Sequence, residues 1–170
     1  MGDRVVVSPF ALADYEGSAN FTTTSDVQNH LTSGDEDMPE GITRVDVKML
    51  DSVFEQYARR DEKIALLKID AEGSDLAVLH GATATLTVHR PAILTEVFGG
   101  GDETRLWLEQ QGYAVYQYDP TTRSLILVPL SFAGQGTFIA IHDSRLRQTE
   151  ALLSAAQRPV LSRPIARWFH

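Results

Sequence analysis

Acidic residues follow an apolar segment in the middle of the chain. Residues 64–70 read IALLKID and the chain continues AEGSD, so Asp70, Glu72 and Asp75 come directly after a run of strand length. Alternate residues of a strand share a face, and a strand that continued through Glu72 would place Lys68, Asp70 and Glu72 on one side. Paired carboxylates there could orient a substrate hydroxyl, hold a cation or act as a general base. The same residues are typical of a helix start, where acids favour the helix dipole, and spacing alone leaves both interpretations open.

A further acid, Glu96, ends a second apolar segment, residues 91–98 (PAILTEVF). The two segments and the helical pattern between them have the length of a strand–helix–strand crossover, which makes the strands parallel neighbours. Glu96 and Asp70 are then expected at the same edge of the sheet. A glutamate inside an apolar strand is rare unless it is paired. This favours a site over a helix start, and Ser74 and Asp75 can serve as the helix start instead.

Two loops carry further candidates. His30 lies in a polar excursion, residues 18–41, and is the histidine expected to reach a ligand, because loops over a sheet edge carry function. The glycines of Gly99–Gly101 lie between a strand and a helix but lack the spacing of a P-loop or a dinucleotide fingerprint, so we interpret them as a flexible connection that could act as a lid. No serine lies in a G-x-S-x-G motif.

The composition limits the classes of function. The chain has 170 residues, no cysteine and a net charge of −8. Thiolate nucleophiles and cysteine-ligated zinc are therefore excluded, and the acidic balance with scattered basic residues argues against a nucleic-acid partner. No stretch approaches the ~20 apolar residues of a membrane span, and the first residues lack the features of a signal peptide. We therefore expect a cytoplasmic protein without a membrane partner.

The hydrophobic pattern predicts alternating strands and helices. Strands are expected at 4–13 and 64–70, both buried, at 19–24, at 42–50, half exposed, at 91–98 and 113–119, and at 121–130 and 137–143, the last two as an antiparallel pair at the sheet edge. Helices are expected at 50–59, from a cap at Ser74 through Leu86, from a cap at Asp102 to a left-handed Gly112, and at 144–157. This pattern predicts an α/β fold with a largely parallel, doubly wound sheet covered by helices on both faces.

Several ordered motifs resemble those of the FkbM-type methyltransferases. The stretch LLKIDAEGSDLAVLHGATATLTVHRPAILTEVF is similar to the core of that family, and the segments ALADYEGSANF, NHL and VDVKMLDSVF resemble segments of it that come earlier. The similarity covers most of residues 4–142. The matching positions of the core are Lys68, Asp70, Glu72, Gly73, Leu79, Gly81, Ala82, Leu86, Arg90, Pro91 and Glu96.

The resemblance implies a class I, Rossmann-like fold and transfer of a methyl group from S-adenosylmethionine to a hydroxyl on a sugar or a polyketide-type acceptor. It implies catalytic or acceptor-binding roles for strand-end acids, and our candidates are Asp70, Glu72, Glu96 and the loop residue His30. For the methyl donor the resemblance implies Asp70 and Gly73 at its methionine end, with Ala13 and Asp14 near its adenine ring. No metal ligand is assigned.

The sequence departs from the family at the donor site. The family's glycine-rich turn, D-x-G-x-N-x-G, and the strands around it have no counterpart in this chain, so we expect an N-terminally truncated sheet that lacks its first strands, with a partial domain at 1–143 and a C-terminal helix and tail at 144–170. An exposed sheet edge would favour a homo-oligomer. Two alternatives stay open: a non-catalytic binding module, and a metal-dependent enzyme using Asp70, Glu72 and Glu96.

Overall fold

The computed structural model describes residues 5–23, 31–32, 41–57, 63–97, 101–129 and 136–146. The helices and strands, in chain order, are β1 (Phe10–Leu12), β2 (Gly17–Thr22), β3 (Leu31–Thr32), β4 (Ile42–Lys48), α1 (Leu50–Tyr57), β5 (Leu66–Ile69), α2 (Asp75–His80), α3 (Thr83–His89), β6 (Ala92–Val97), α4 (Gly101–Gln110), β7 (Tyr113–Asp119), β8 (Ser124–Leu127) and β9 (Gly136–His142). The protein is thus a mixed α/β chain.

The chain divides into two compact units. Unit 1 consists of residues 1–62 and 71–85, and unit 2 consists of residues 63–70 and 86–170. The sheet of unit 1 has the strand order β1-β4-β2-β3, in which β1 and β4 are parallel and the other pairs are antiparallel. The sheet of unit 2 has the order β5-β6-β9-β7-β8.

Strand directions in unit 2 correct the predicted topology. β5 and β6 are parallel neighbours, as predicted. β9 pairs antiparallel with both β6 and β7, so it lies between them, and β8 pairs antiparallel with β7 at the edge. The prediction that the last two strands pair with each other was therefore wrong. The prediction of a largely parallel sheet was also wrong, because among the pairings of the described strands only β1–β4 and β5–β6 are parallel and the other five are antiparallel.

Two expected buried strands are shorter and more exposed than their composition indicates. β1 pairs with β4 through Phe10–Leu12, and Pro9 lies directly before it, where no ladder donor is needed. The valines of residues 5–7 precede the strand and are 74–89% exposed. β5 lies at the edge of its sheet, and Leu66 is 61% exposed. The apolar composition therefore identified these segments as strands, but it did not indicate how many strands pair with each of them.

The predicted long helix after Ser74 is broken. α2 ends at His80, Gly81 and Ala82 form a turn, and α3 begins at Thr83. Ser74 occupies the position before α2, but its side chain makes no capping hydrogen bond, so that part of the prediction was wrong. α2 still carries an acid in its first turn, Asp75, which is 3% exposed.

Other predicted features are confirmed. β4 is half exposed, β6 lies within the predicted strand at 91–98, and β7 spans the predicted residues 113–119. Gly112 has φ +82 at the end of α4, although the helix begins at Gly101, one residue before the predicted cap. The core of unit 2 includes Tyr116, Ile141 and Leu146. Residues 143–146 are helical, and the remainder of the predicted C-terminal helix lies outside the described residues.

Candidate functional site

Asp70 and Glu96 lie at the same end of the unit 2 sheet, where the carboxyl ends of β5 and β6 meet. In the parallel pairing of β5 with β6, Ile69 lies opposite Thr95. Asp70 directly follows β5, which ends at Ile69, and Glu96 follows Thr95 within β6, so both acids come one residue after this pair, at the carboxyl end of the parallel pairing, as the sequence predicts. Ile69 and Thr95 are buried at 4% and 0% exposure. Since side chains alternate along a strand, Glu96 is on the opposite face of β6 from the buried Thr95.

A lysine accompanies the acid on β5. Lys68 Nζ lies 2.5 Å from Asp70 Oδ2, and the two side chains are 58% and 42% exposed. An ion pair this exposed contributes only about 0–1 kcal/mol to stability. Its consequence is chemical, because Lys68 places a hydrogen-bond donor and a positive charge beside the Asp70 carboxylate.

Glu72 does not share a strand face with Asp70, because the strand does not continue through it. β5 ends at Ile69, and residues 71–74 form a tight turn in which Ser74 N donates to Ala71 O at 3.0 Å. Both central residues have positive φ, +46° at Glu72 and +93° at Gly73. The chain turns away because it must begin α2, and it passes at this point from unit 2 into unit 1.

The turn has a local energetic cost. A left-handed conformation at a residue other than glycine costs about 1 kcal/mol or more, and Glu72 adopts it. Gly73 adopts it without a side-chain penalty, and no described atom lies within 4 Å of the position that a Cβ would take. The turn thus presents a carboxylate beside open backbone.

Ala13 and Asp14 follow β1 in unit 1. Ala13 is 2% exposed, and its N–H donates to Lys48 O at 3.0 Å, which ties the end of β1 to the end of β4. Asp14 is exposed. The same loop is held by Glu16, whose Oε1 accepts from Met49 N at 3.2 Å. The hydrogen bonds from the Ser52 side chain and the Met49 N–H hold the pKa of Glu16 below its ordinary value.

Asp51 and Gly81 were not selected by sequence reasoning as functional residues. Asp51, in the first turn of α1, donates its N–H to Gly81 O at 3.0 Å and accepts from the N–H groups of Ala84 and Thr85 at 2.9 and 2.7 Å. A Cβ on Gly81 would lie 2.0 Å from Ala13 O. No sequence signal points to this contact, because the pattern predicts one helix from Ser74 through Leu86 and not a separate α3 that needs a cap.

A separate titratable cluster lies at the other end of the unit 2 sheet. Tyr113 begins β7 opposite His142 at the end of β9, and the two rings meet edge to face at 5.1 Å. Burial raises the pKa of Tyr113 to about 12. Burial, followed by the charge of Arg90, lowers the pKa of His142 below 6.5. β9 pairs Gly136 with Val97 at the Glu96 end, so this cluster is remote from Asp70 and Glu96 along the strands.

Some candidates have no structural account. His30 and two of the lid glycines, at 99 and 100, lie outside the described residues, and Gly101 begins α4. Within the described ranges, no three histidine, aspartate or glutamate side chains are grouped so as to hold a metal ion. No described helix combines the length and the apolar character that crossing a membrane requires.

Comparison with known proteins gives one positive finding. A family model described as "Methyltransferase FkbM domain" matches residues 3–115. The search of curated proteins and the search of solved structures gave no match. The matched range contains β1, the Glu72–Gly73 turn, Asp51, Gly81, and both Asp70 and Glu96.

Proposed function

The chain belongs to the FkbM methyltransferase domain family, and on this premise we propose that it transfers a methyl group from S-adenosylmethionine to a hydroxyl of a small molecule. The observation that carries the proposal is the parallel pairing of β5 with β6, whose last pair, Ile69 and Thr95, comes one residue before Asp70 and Glu96 within the matched range. Ligands of open α/β sheets bind at such strand ends.

Several residues of unit 1 support the donor part of this proposal, although the family's glycine-rich turn has no counterpart in this chain. The donor carries a positive sulfonium, an amino group and ribose hydroxyls, and each of these favours carboxylate neighbours. Glu72 supplies a carboxylate in unit 1, and Gly73 leaves its backbone open to close approach. Asp14 is an exposed acid after β1. In this proposal Gly73 lies at the methionine end of the donor, with Ala13 and Asp14 at its adenine end, and Asp70 is the further donor-binding candidate that the family resemblance implies.

Asp70 and Glu96 have the chemistry needed on the acceptor side. The bound donor supplies an electrophilic methyl carbon: the acceptor oxygen bonds to this carbon as the carbon–sulfur bond breaks, and its electrons remain on sulfur. The hydroxyl proton needs an acceptor, and a carboxylate in hydrogen-bond reach provides one. We assign this role to Glu96. Asp70, with Lys68 at 2.5 Å, orients the hydroxyl.

The acceptor class, the location and the assembly belong to the same proposal. A sugar or polyketide-type hydroxyl is the acceptor that the family resemblance favours, in a cytoplasmic protein. His30 is a further candidate for contact with the acceptor. β5 lies at a sheet edge with Leu66 61% exposed, and an exposed apolar edge strand favours pairing with a second chain. We therefore propose a homo-oligomer, which light scattering on the purified protein would detect.

Titration calorimetry with S-adenosylmethionine tests the donor step. We expect binding tighter than about 1 mM, equivalent to roughly −4 kcal/mol, and a weaker affinity for Asp70→Asn. If the wild-type protein releases no heat while it is folded by circular dichroism, the methyltransferase proposal fails and the binding-module alternative, which keeps the fold without the donor site, takes its place.

Release of S-adenosylhomocysteine in the presence of a panel of simple sugars tests the acceptor step. We expect Glu96→Gln to bind the donor like the wild type and to release product about 100-fold more slowly, because general bases contribute about 10²–10⁴-fold. Glu103→Gln is the matched control, since Glu103 is an exposed glutamate of the same unit, on α4. An equal rate for Glu96→Gln and the control would remove Glu96 from the catalytic step.

A further inference from the structure

Asp51 caps a helix to which it does not belong. Both of its carboxylate oxygens accept backbone N–H groups from the first turn of α3, with Ala84 N at 2.9 Å and Thr85 N at 2.7 Å. The first N–H groups of a helix lack partners within the helix and favour a negative charge. No residue in the first turn of α3 supplies that charge. Asp51 supplies it from more than 30 residues earlier in the chain.

The junction between α2 and α3, residues Gly81 and Ala82, contacts two other segments of unit 1. Asp51 N donates to Gly81 O at 3.0 Å on one side. On the other side Ala13 O is so close that a Cβ on Gly81 would lie 2.0 Å from it. Ala13 is in turn hydrogen-bonded to Lys48 O, and only two residues separate Lys48 from Asp51. This set of backbone contacts therefore connects the ends of β1 and β4, the start of α1 and the α2–α3 junction within unit 1.

Both parts of the donor site in unit 1 are connected to this set. Asp14 follows Ala13 directly. The Glu72–Gly73 turn begins the segment that ends at the junction, and Val78 N donates to Ser74 O at 3.0 Å, so that α2 starts directly at the turn. α2 has six residues, a length of about 9 Å at 1.5 Å per residue. A displacement of the junction is thus transmitted to the turn by a single short helix.

We propose that Asp51 is a positioning residue for the methyl donor: by clamping the α2–α3 junction, it fixes Ala13 and Asp14 relative to Glu72 and Gly73. This inference rests on the proposed function. Asp51 touches neither reactant, and its effect reaches the donor through Ala13 and through α2. Loss of the clamp should therefore weaken donor binding more than it slows the chemical step, which belongs to Asp70 and Glu96 of unit 2.

The test compares two ways of breaking the clamp with a matched control. Asp51→Asn keeps one acceptor oxygen but loses the charge and the second acceptor. Ala84→Pro removes one donor from the other partner, at a first-turn position where a helix accepts proline. Asp46→Asn changes the same charge at an exposed residue of β4. Each full-length variant is measured for amide exchange at Thr85, affinity for S-adenosylmethionine and product release at saturating donor.

We expect faster exchange at Thr85 and an affinity for S-adenosylmethionine that falls about tenfold, which corresponds to 1.4 kcal/mol, in both clamp variants. The rate at saturating donor should change less than the affinity, and Asp46→Asn should match the wild type. Clamp variants that bind the donor like the wild type would overturn the inference alone. So would an affinity loss fully explained by the unfolded fraction in urea titration. A wild-type protein that does not bind the donor would instead overturn the proposed function.

Discussion

Replacing Gly81 with alanine tests how closely the backbones of Gly81 and Ala13 approach each other in unit 1. Gly81 has φ −69° and ψ −3°, a right-handed conformation that alanine adopts freely. At such a position the exchange would normally stabilise the protein by about 0.4–1 kcal/mol, because alanine has less freedom in the unfolded chain. Here the new Cβ would lie 2.0 Å from Ala13 O and 3.0 Å from Ala13 C. These are backbone atoms, so no side-chain rotation relieves the overlap.

The magnitude follows from the displacement required. An ordinary carbon contact needs about 3.5 Å, so the Ala13 backbone or the α2–α3 junction must move by more than 1 Å. Overpacking of this kind costs about 1–3 kcal/mol, and displacement of the junction also strains the three hydrogen bonds of Asp51. We expect Gly81→Ala to lower the free energy of unfolding by about 2–3 kcal/mol, and the melting temperature by about 4–12 °C for a chain of this size.

Two other glycines separate the steric cause from conformational strain. Gly17→Ala places a Cβ at an ordinary 3.6 Å from the Tyr15 ring, in an exposed strand position, and should be neutral or slightly stabilising. Gly73→Ala meets no described atom within 4 Å but keeps φ +93°, so it should cost about 1 kcal/mol through strain alone. Urea unfolding followed by circular dichroism ranks the three variants. A Gly81→Ala protein as stable as Gly17→Ala would refute the close approach of Ala13 O.

Three further predictions concern unit 2. The lowered pKa of His142 means that its contribution to stability is present above pH 6.5 and is lost as pH falls through the native pKa; His142→Gln should flatten that part of the curve of unfolding free energy against pH. The pKa of Tyr113, raised from 10.0 to about 12, means that its contribution is complete below pH 10 and is lost as pH rises towards 12, and a phenolate absorbance titration should lose its last step in Tyr113→Phe. Glu109 holds both oxygens within 2.8 Å of the buried Arg105 guanidinium, so Glu109→Gln should destabilise the protein by about 1–3 kcal/mol in urea titration.

Each of these predictions has its own control. Glu103→Gln, an exposed change on the same helix as Glu109, should stay within about 0.5 kcal/mol of the wild type. A magnetic resonance titration of His142 with a midpoint at or above 6.5 would show that burial does not act on its ring. Tyr118→Phe, at a residue 51% exposed, should leave the late phenolate step in place. A late step that persists in Tyr113→Phe would assign it to another tyrosine.

The sequence predicted best what local pattern determines. β7, β4 and the left-handed Gly112 follow from alternation and from the residue types found at helix ends. The parallel pairing of β5 with β6 followed from the geometry of a crossover, which is a general rule of chain connection. These features depend on a few adjacent residues or on topology that has almost no exceptions.

The sequence failed where distant residues decide. The break at Gly81 depends on Ala13, and the cap of α3 depends on Asp51, so no window around residues 74–89 contains either cause. The exposure of residues 5–7 depends on how far the pairing with β4 extends. The even spacing of Asp70 and Glu72 left open whether the strand continues through Glu72, and in the structure the chain turns there. The periodicity of apolar residues indicates which residues of a segment are buried, but it does not indicate which distant segments they contact.

The position of β9 between β6 and β7 has a consequence for synthesis on the ribosome. β6 ends at Val97, and the strand that fills its second side runs from Gly136 to His142. At about 5–20 residues per second, roughly 2 to 9 seconds separate the translation of Val97 from that of His142. Throughout that interval the partner of β6 that has already been made is β5, which covers one side of it in the folded sheet. The strands next to Asp70 and Glu96 are therefore made before the strand that completes the centre of their sheet, which is the last strand of the described chain.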